Sequence, residues 1–381
     1  MRYHLVARYA EYLSPALEAE DFDFSQRTLA GQKEPRPRWK RVLETENAAY
    51  YRLGGVQNPL GMLVGRRYVA EYFPATTKQR YSNLVTALVA AYRERIGRLD
   101  WMSAATKAKA LEKLAALERK IGYPDRWPDY SALVVGRDSY CENVMNISRW
   151  RFDHMLQRFG RPVDRSEWMM TPQTYNAYYH PIHNEIVFPA AIFIVPGLRD
   201  ADLDDAVVYG SAGAVIGHEI THGFDDQGRK FDASGNLHDW WMAEDATQFE
   251  QRAEAMVRQF DAYEPLPGFH INGKASLGEN IADFGGLLVA LDAFKQTQQY
   301  RAGEPISGLT PLQRFFLGYA SSWMVERREE QIRRALLSDF HTPEKWRVLG
   351  PLSNIPDFYE AFDVKPTQPM WRSPEQRVSI W

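Results

Sequence analysis

Apolar residues recur three and four positions apart through much of the chain, the spacing that lines one buried face of a helix. The clearest stretches are Asn83–Ile96, with Leu84, Leu88, Ala91 and Tyr92 in phase, and Ser103–Ile121, with Leu111, Leu114, Leu117 and Ile121 in phase. Ser103 stands where a hydroxyl caps the first turn of the second stretch. The helical pattern returns at Ala206–Phe224, Ala243–Gln259, Gly278–Gln299 and Leu312–Leu337, and a weaker run covers Tyr3–Leu17. Tyr130–Val135 and Glu185–Phe188 are rich in β-branched and aromatic residues and predict short strands. The breakers Gly122, Pro124, Trp127, Pro128 and Asp129 predict a boundary near residues 125–135. The expected architecture is mainly α with a small β-sheet: a helical domain over 1–130, then a mainly helical domain carrying the sheet over 131–381. Gly31–Arg41 is basic and proline-broken, which reads as a loop, and no internal repeat occurs.

Composition narrows the function classes. With 45% hydrophobic residues in 381, the chain has enough apolar material for one large or two ordinary globular domains, which excludes disorder as its main state. Lys+Arg 46 against Asp+Glu 49 leaves a net charge of -3, so no positive field draws nucleic acid or an anionic membrane. Cys141 is the sole cysteine and excludes an internal disulfide. No apolar run reaches the ~20 residues that span a bilayer. The first twenty residues, with Arg2, Arg8, Glu11, Glu18 and Glu20, hold no signal-peptide stretch, so the chain as written reads as soluble and cytoplasmic.

His218-Glu219-Ile220-Thr221-His222 is the strongest local signal. Imidazoles four residues apart on a helix lie roughly 6 Å apart along the axis on one face, so both can converge on one Zn²⁺, with Glu219 beside them and not needed as a ligand. The plain alternative makes them ordinary helix histidines. A hydrolytic zinc site takes three protein ligands and a water, and Gly278-Glu279-Asn280-Ile281-Ala282-Asp283 offers Glu279 as the third. Asp283, one turn later, is placed to accept the second ring N–H of a ligating histidine. By themselves the two carboxylates would read as a solvated helix face. Asp225 and Asp226 either serve the other histidine or end the helix.

The runs Val215–Arg229 (VIGHEITHGFDDQGR), Gly278–Gly286 (GENIADFGG) and Asn176–Pro189 (NAYYHPIHNEIVFP) resemble the three signature segments of the neprilysin family of zinc endopeptidases, in the family's order and at similar separations. The likeness extends into Trp101–Leu133 and Pro374–Trp381, and the lack of cysteines resembles the bacterial branch. It implies a thermolysin-like catalytic domain at 131–381, with 1–130 as a partial remnant of the family's helical lid domain. Only the C-terminal part of the family's usual length is matched, which leaves room for a complementing partner chain supplying the N-terminal half.

By the same resemblance one Zn²⁺ per chain is held by His218, His222 and Glu279, and Glu219 acts as general base and then acid. His341, in Asp339-Phe340-His341-Thr342-Pro343, helps stabilise the oxyanion and Arg347 holds a substrate carbonyl. Asn176 and Ala177 pair with the backbone of an extended peptide, and Val215 and Trp323 line an apolar pocket for the residue after the cleaved bond. The expected substrates are short peptides cut on the amino side of apolar residues. The rival reading is a truncated, non-catalytic fragment that keeps zinc or peptide binding as an interaction module. Asp283-Phe284-Gly285 spells a kinase motif but lacks the accompanying Gly-rich and catalytic loops. The proline between His180 and His183 makes that pair a surface loop rather than a second metal site.

Overall fold

The computed structural model describes residues 2–37, 59–195 and 198–381. The helical run at the start divides where Ser14 meets Pro15: α1 (Arg2–Leu13) ends, and the Ser14 hydroxyl accepts the Leu17 N–H to start α2 (Pro15–Phe22). Of the proline-broken segment, residues 31–37 lack regular structure and residues 38–41 lie outside the described residues. Next come α3 (Pro59–Tyr72) and the long α4 (Ala75–Arg98), whose apolar stripe buries Leu84, Leu88, Ala91, Tyr92 and Ile96.

Ser103 caps α5 (Ala104–Ala115), its hydroxyl accepting the Thr106 N–H at 3.3 Å. The helix stops six residues short of the expected end, and Glu118–Gly122 forms strand β1. Leu117 and Ile121 satisfy a helical period, but the backbone of this stretch finds ladder partners in a distant strand, and tertiary pairing overrides the local pattern. The sheet has the order β1-β3-β2, with β3 (Glu185–Pro189) parallel to β1 and antiparallel to β2 (Tyr178–His180). The register sets Glu118 opposite Glu185 and Tyr178 opposite Val187. Tyr130–Val135, expected as a strand, is turn and coil: the Asp129 carboxylate accepts the Ser131 N–H at 2.9 Å, which folds the chain back before a ladder can form. After it comes α6 (Tyr140–Arg158), which the apolar pattern did not announce.

The catalytic-motif run is one continuous rod, α7 (Asp205–Val208), a π-turn over Tyr209–Gly213, and α8 (Ala214–His222). The wider turn brings Gly210 against the chain near Phe315, where a Cβ would sit 2.0 Å from the Phe315 carbonyl oxygen. After α9 (Ala243–Asp261) comes α10 (Leu277–Lys295), buried on nearly every side. It ends before the expected Gln299, because the Thr297 hydroxyl takes the Tyr300 N–H and starts a separate short helix, α11 (Gln298–Ala302). The expected Leu312–Leu337 helix is also two: α12 (Pro311–Ser321) opens on a Thr310/Gln313 capping box, and α13 is Glu329–Ser338. Ser321 and Ser322 both turn their hydroxyls back onto the Gly318 carbonyl, competing with the helix ladder at the break. Finally, α14 (Glu344–Leu352) and α15 (Pro356–Phe362) lead to the C-terminus.

One hydrophobic core runs from α4 and β1 through α8 and α10 to Ile380. At its centre α8 crosses α10 backbone to backbone: a Cβ on Gly217 would lie 2.5 Å from the Gly286 carbonyl oxygen, and one on Gly286 would lie 2.3 Å from the His218 nitrogen. The mainly helical architecture with a small sheet is as the sequence predicts. Among the described residues no helix is long and apolar enough to cross a membrane.

Candidate metal centre and active-site cleft

The glycine crossing places the two motif helices so that their polar side chains meet. His218 and His222 project from α8 with ring planes at 89° and Nε2 atoms 2.9 Å apart. From α10, Glu279 brings Oε2 to 3.3 Å from His218 Nε2 and Oε1 to 3.6 Å from His222 Nε2. Four ligands at about 2.1 Å around a tetrahedral ion stand about 3.4 Å from one another, so these separations are those of ligands on one small cation. The donor atoms of His218, Glu219 and His222 also gather within 4.8 Å. Glu279 is the better third ligand because it turns one oxygen to each imidazole, while Glu219, one residue from His218, is turned about 100° around the helix from it. Two neutral imidazoles and one carboxylate are the donor set of a hydrolytic zinc site, and the residues present fit one Zn²⁺.

Each imidazole has a carboxylate behind it. His218 Nδ1 donates to Asp283 Oδ1 at 2.8 Å, and His222 Nδ1 donates to Asp225 Oδ2 at 2.7 Å. A carboxylate only accepts, so both rings keep a proton on Nδ1, and in the neutral ring it is the Nε2 lone pair that faces the shared point. Of the two aspartates after the motif, Asp225 is the one that serves His222. Burial lowers His218, but Asp283 and Glu279 outweigh it and raise the ring to about 10. Burial likewise opposes a rise at His222, which Glu279 and Asp225 impose. Burial also works against ionisation of Glu279, yet His222, His218 and Arg347 hold it well below the ordinary carboxylate range. At Glu219 burial, helped by the charge of Glu279, outweighs the pull of His218, His222 and Arg347 and raises the carboxyl above its ordinary value.

Arg347, from α14, closes the far side. Its Nε donates to Asp283 Oδ2 and its Nη2 to Asp283 Oδ1, each at 2.7 Å, and Nη2 also lies 3.4 Å from Glu279 Oε2. The guanidinium lies 4.1 Å from the centre of the Trp323 ring, which the break between α12 and α13 turns toward it. His341 points Nε2 at Glu279 Oε1, 3.4 Å away, and is oriented from behind by Asp339 Oδ1, 2.7 Å from its Nδ1.

All eleven side chains singled out in the sequence line one cavity of about 1050 Å³: His218, Glu219, His222, Glu279, Asp283, His341, Arg347, Asn176, Ala177, Val215 and Trp323. Asn176 and Ala177 lie just before β2 rather than within it, and Asn176 Oδ1 accepts the Ala177 N–H at 2.9 Å. His180 and His183 stack at 4.3 Å across the β2–β3 turn. Asp283-Phe284-Gly285 sits mid-helix in α10, not in a loop. Sequence reasoning missed Asp339, Tyr319, whose hydroxyl donates to the Arg347 carbonyl at 2.7 Å, and Lys113, whose ammonium is buried beside the His222 loop. Only the two-residue spacing of Asp339 and His341 was available as a signal.

Known proteins resemble the chain along most of its length. Two models of peptidase family M13 match the chain, one over residues 1–124 and one over residues 176–378. A neutral endopeptidase of Lactobacillus helveticus is 37% identical over 374 residues, covering 98% of this chain and 54% of the relative. An endothelin-converting enzyme homolog of Locusta migratoria is 34% identical over 386 residues, covering 99% of this chain and 51% of the relative. The crystal structure of the zinc metalloprotease Zmp1 of Mycobacterium tuberculosis with an inhibitor superposes with a TM-score of 0.89 at 44% identity, covering 100% of this chain and 57% of that one. The chain spans about half the length of the curated relatives it matches. With both family models matched in order and the motif helices crossed around a single donor set, the chain belongs to peptidase family M13, the neprilysin-type peptidases its motif runs resemble.

Proposed function

We propose that this chain carries a zinc endopeptidase centre that hydrolyses short peptides on the amino side of apolar residues, with His218, His222 and Glu279 holding the metal. The observation that carries the reading is the set of 2.9–3.6 Å separations among those donors, with a carboxylate behind each imidazole. When bound there, Zn²⁺ supplies Lewis acidity and lowers the pKa of a water from 15.7 towards about 7.

The protein's own groups do the rest. Glu219, whose burial raises its proton affinity, takes the proton of the attacking water and passes it to the leaving nitrogen. His341, oriented by Asp339, donates to the oxygen that gains charge. Arg347, fixed by Asp283 and packed on Trp323, orients a substrate carbonyl. Asn176 and the Ala177 backbone, just before the half-buried edge strand β2, bind the peptide in extended form. Val215 and Trp323 take the apolar side chain that follows the cleaved bond. Within this reading, residues 1–130 are the remnant of the lid domain and 131–381 the catalytic domain, although β1 pairs with β3 across that division. A chain supplying the remaining half of the relatives' length is part of the same proposal.

The test is zinc analysis of the purified chain together with hydrolysis of a quenched fluorescent peptide carrying an internal apolar residue, with and without chelator. The reading expects about one zinc per chain and chelator-sensitive cleavage. Zinc without cleavage would favour the second reading, a non-catalytic binding module.

A further inference from the structure

Lys113 is used by none of the chemistry above, yet it is among the most deeply enclosed charged groups described. It is 1% exposed on α5, and its Nζ donates to the carbonyls of Gly223 at 2.6 Å, Gly228 at 2.7 Å and Phe231 at 2.7 Å. An ammonium has three N–H donors, and all three are engaged. The rings of Phe224, Tyr179 and Trp240 stand 5.6, 5.8 and 6.0 Å from Nζ and exclude water from the remainder.

The three carbonyls belong to the stretch 223–231, which begins one residue after His222. This loop lies directly on the backbone of that histidine: a Cβ on Gly228 would fall 1.7 Å from the His222 carbonyl oxygen. The same loop carries Asp225, whose Oδ2 takes the His222 Nδ1–H while its Oδ1 takes the N–H groups of Gln227 at 2.9 Å and Gly228 at 2.7 Å. Lys113 is held in its turn, since its own carbonyl accepts from Asn184 Nδ2 at 3.0 Å. Three carbonyl dipoles aimed at one buried point repel each other unless a cation stands there, so the loop's shape depends on Lys113.

We propose that Lys113 is a positioning residue for the metal centre: by gathering the 223–231 carbonyls it fixes Asp225, and through Asp225 the tautomer and aim of the His222 imidazole toward the Zn²⁺ site. The inference rests on the zinc peptidase reading above. It assigns part of the metal centre's geometry to α5, in the half of the chain matched by the first family model.

The experiment loads the whole chain with zinc and measures transfer of the metal to a chromogenic chelator for wild type, Lys113→Met, Lys113→Gln and Leu114→Ala. Leu114 is the neighbouring, fully buried core residue of α5 and controls for general loosening. Lys113→Met is expected to release zinc about tenfold faster, the scale on which groups behind a ligand act. Lys113→Gln, with two donors left, falls between Lys113→Met and wild type, and Leu114→Ala stays within twofold of wild type. Asp225→Asn added to Lys113→Met accelerates release no further, because both act on His222 by one route. Wild-type release in Lys113→Met, or equal acceleration in Leu114→Ala, overturns the inference. Should Lys113→Met not fold, Lys113→Gln carries the same comparison. A wild-type chain that takes up no zinc overturns the peptidase reading instead, so the two failures are distinct.

Discussion

Asp283 divides one buried carboxylate between His218 and Arg347, giving Oδ1 to the imidazole and to the guanidinium Nη2, and Oδ2 to the guanidinium Nε. One side chain thus sets both the tautomer of a metal ligand and the position of the cation beside the cleft. Asp283→Asn is expected to weaken zinc binding by about 10–100-fold. It should also lower stability, by less than the about 3–5 kcal/mol of a fully orphaned buried charge, because Arg347 loses its nearer carboxylate but keeps Glu279 at 3.4 Å. Glu279→Ala should lose more zinc than Asp283→Ala. Comparable zinc content in the two variants by metal analysis would refute the order of ligand and support.

Glu219→Gln preserves shape and removes the carboxylate proposed as the base. It is expected to keep about one zinc per chain while turnover of the fluorescent peptide falls by about 10²–10⁴. Full activity in this variant would remove Glu219 from the mechanism.

Zinc binding should strengthen as pH rises. The His218 pKa is raised from the ordinary 6.5 to about 10, and that of His222 is raised too, by neighbouring carboxylates. A raised imidazole favours the folded, protonated form fully below about 6.5 and loses that contribution as pH climbs through about 10. The metal requires the neutral ring, so across the same window it has to displace a proton, and affinity rises about tenfold per pH unit for each proton released. Calorimetry in two buffers of different ionisation enthalpy reads this release. Affinity that stays flat from pH 6 to pH 9 would contradict it.

Glycine substitutions separate the helix crossing from ordinary helix content. Gly286→Ala pushes a methyl group into the α8 backbone and should cost about 1–3 kcal/mol in denaturant titration. Gly97→Ala, inside α4 with nothing within 4 Å of the added carbon, should instead stabilise by about 0.5–1 kcal/mol. Equal effects of the two would show that the crossing tolerates a side chain.

The helices nearest the site were legible in the sequence because their caps and their motifs coincide: Ser103 starts α5, and the motif histidines share one face of α8. What was hidden depended on distant partners. Glu118–Gly122 is a strand only because Glu185–Pro189 lies beside it, and Leu117 and Ile121 fit a helix equally well. The break after Ser321 has no proline or glycine just after it to mark it, and shows only in the Ser321 and Ser322 hydroxyls turned onto the Gly318 carbonyl. Within the site, Asp225 and Asp226 were indistinguishable by position, since hydrogen bonding to His222 separates them only in three dimensions. Lys113 gave no signal at all, because a lysine in a predicted amphipathic helix ordinarily faces water.

The pairing of β1 with β3, and the hydrogen bond from the Trp101 indole to the Ile380 carbonyl, tie early segments to late ones. A ribosome delivers Glu118 well before Glu185 and Trp101 long before Ile380, so β1 waits for β3 and the Trp101 indole waits for its carbonyl partner. Closing these long-range ties is the slow part of folding, and the apolar stripe of α4 stays open to association with other chains for that interval.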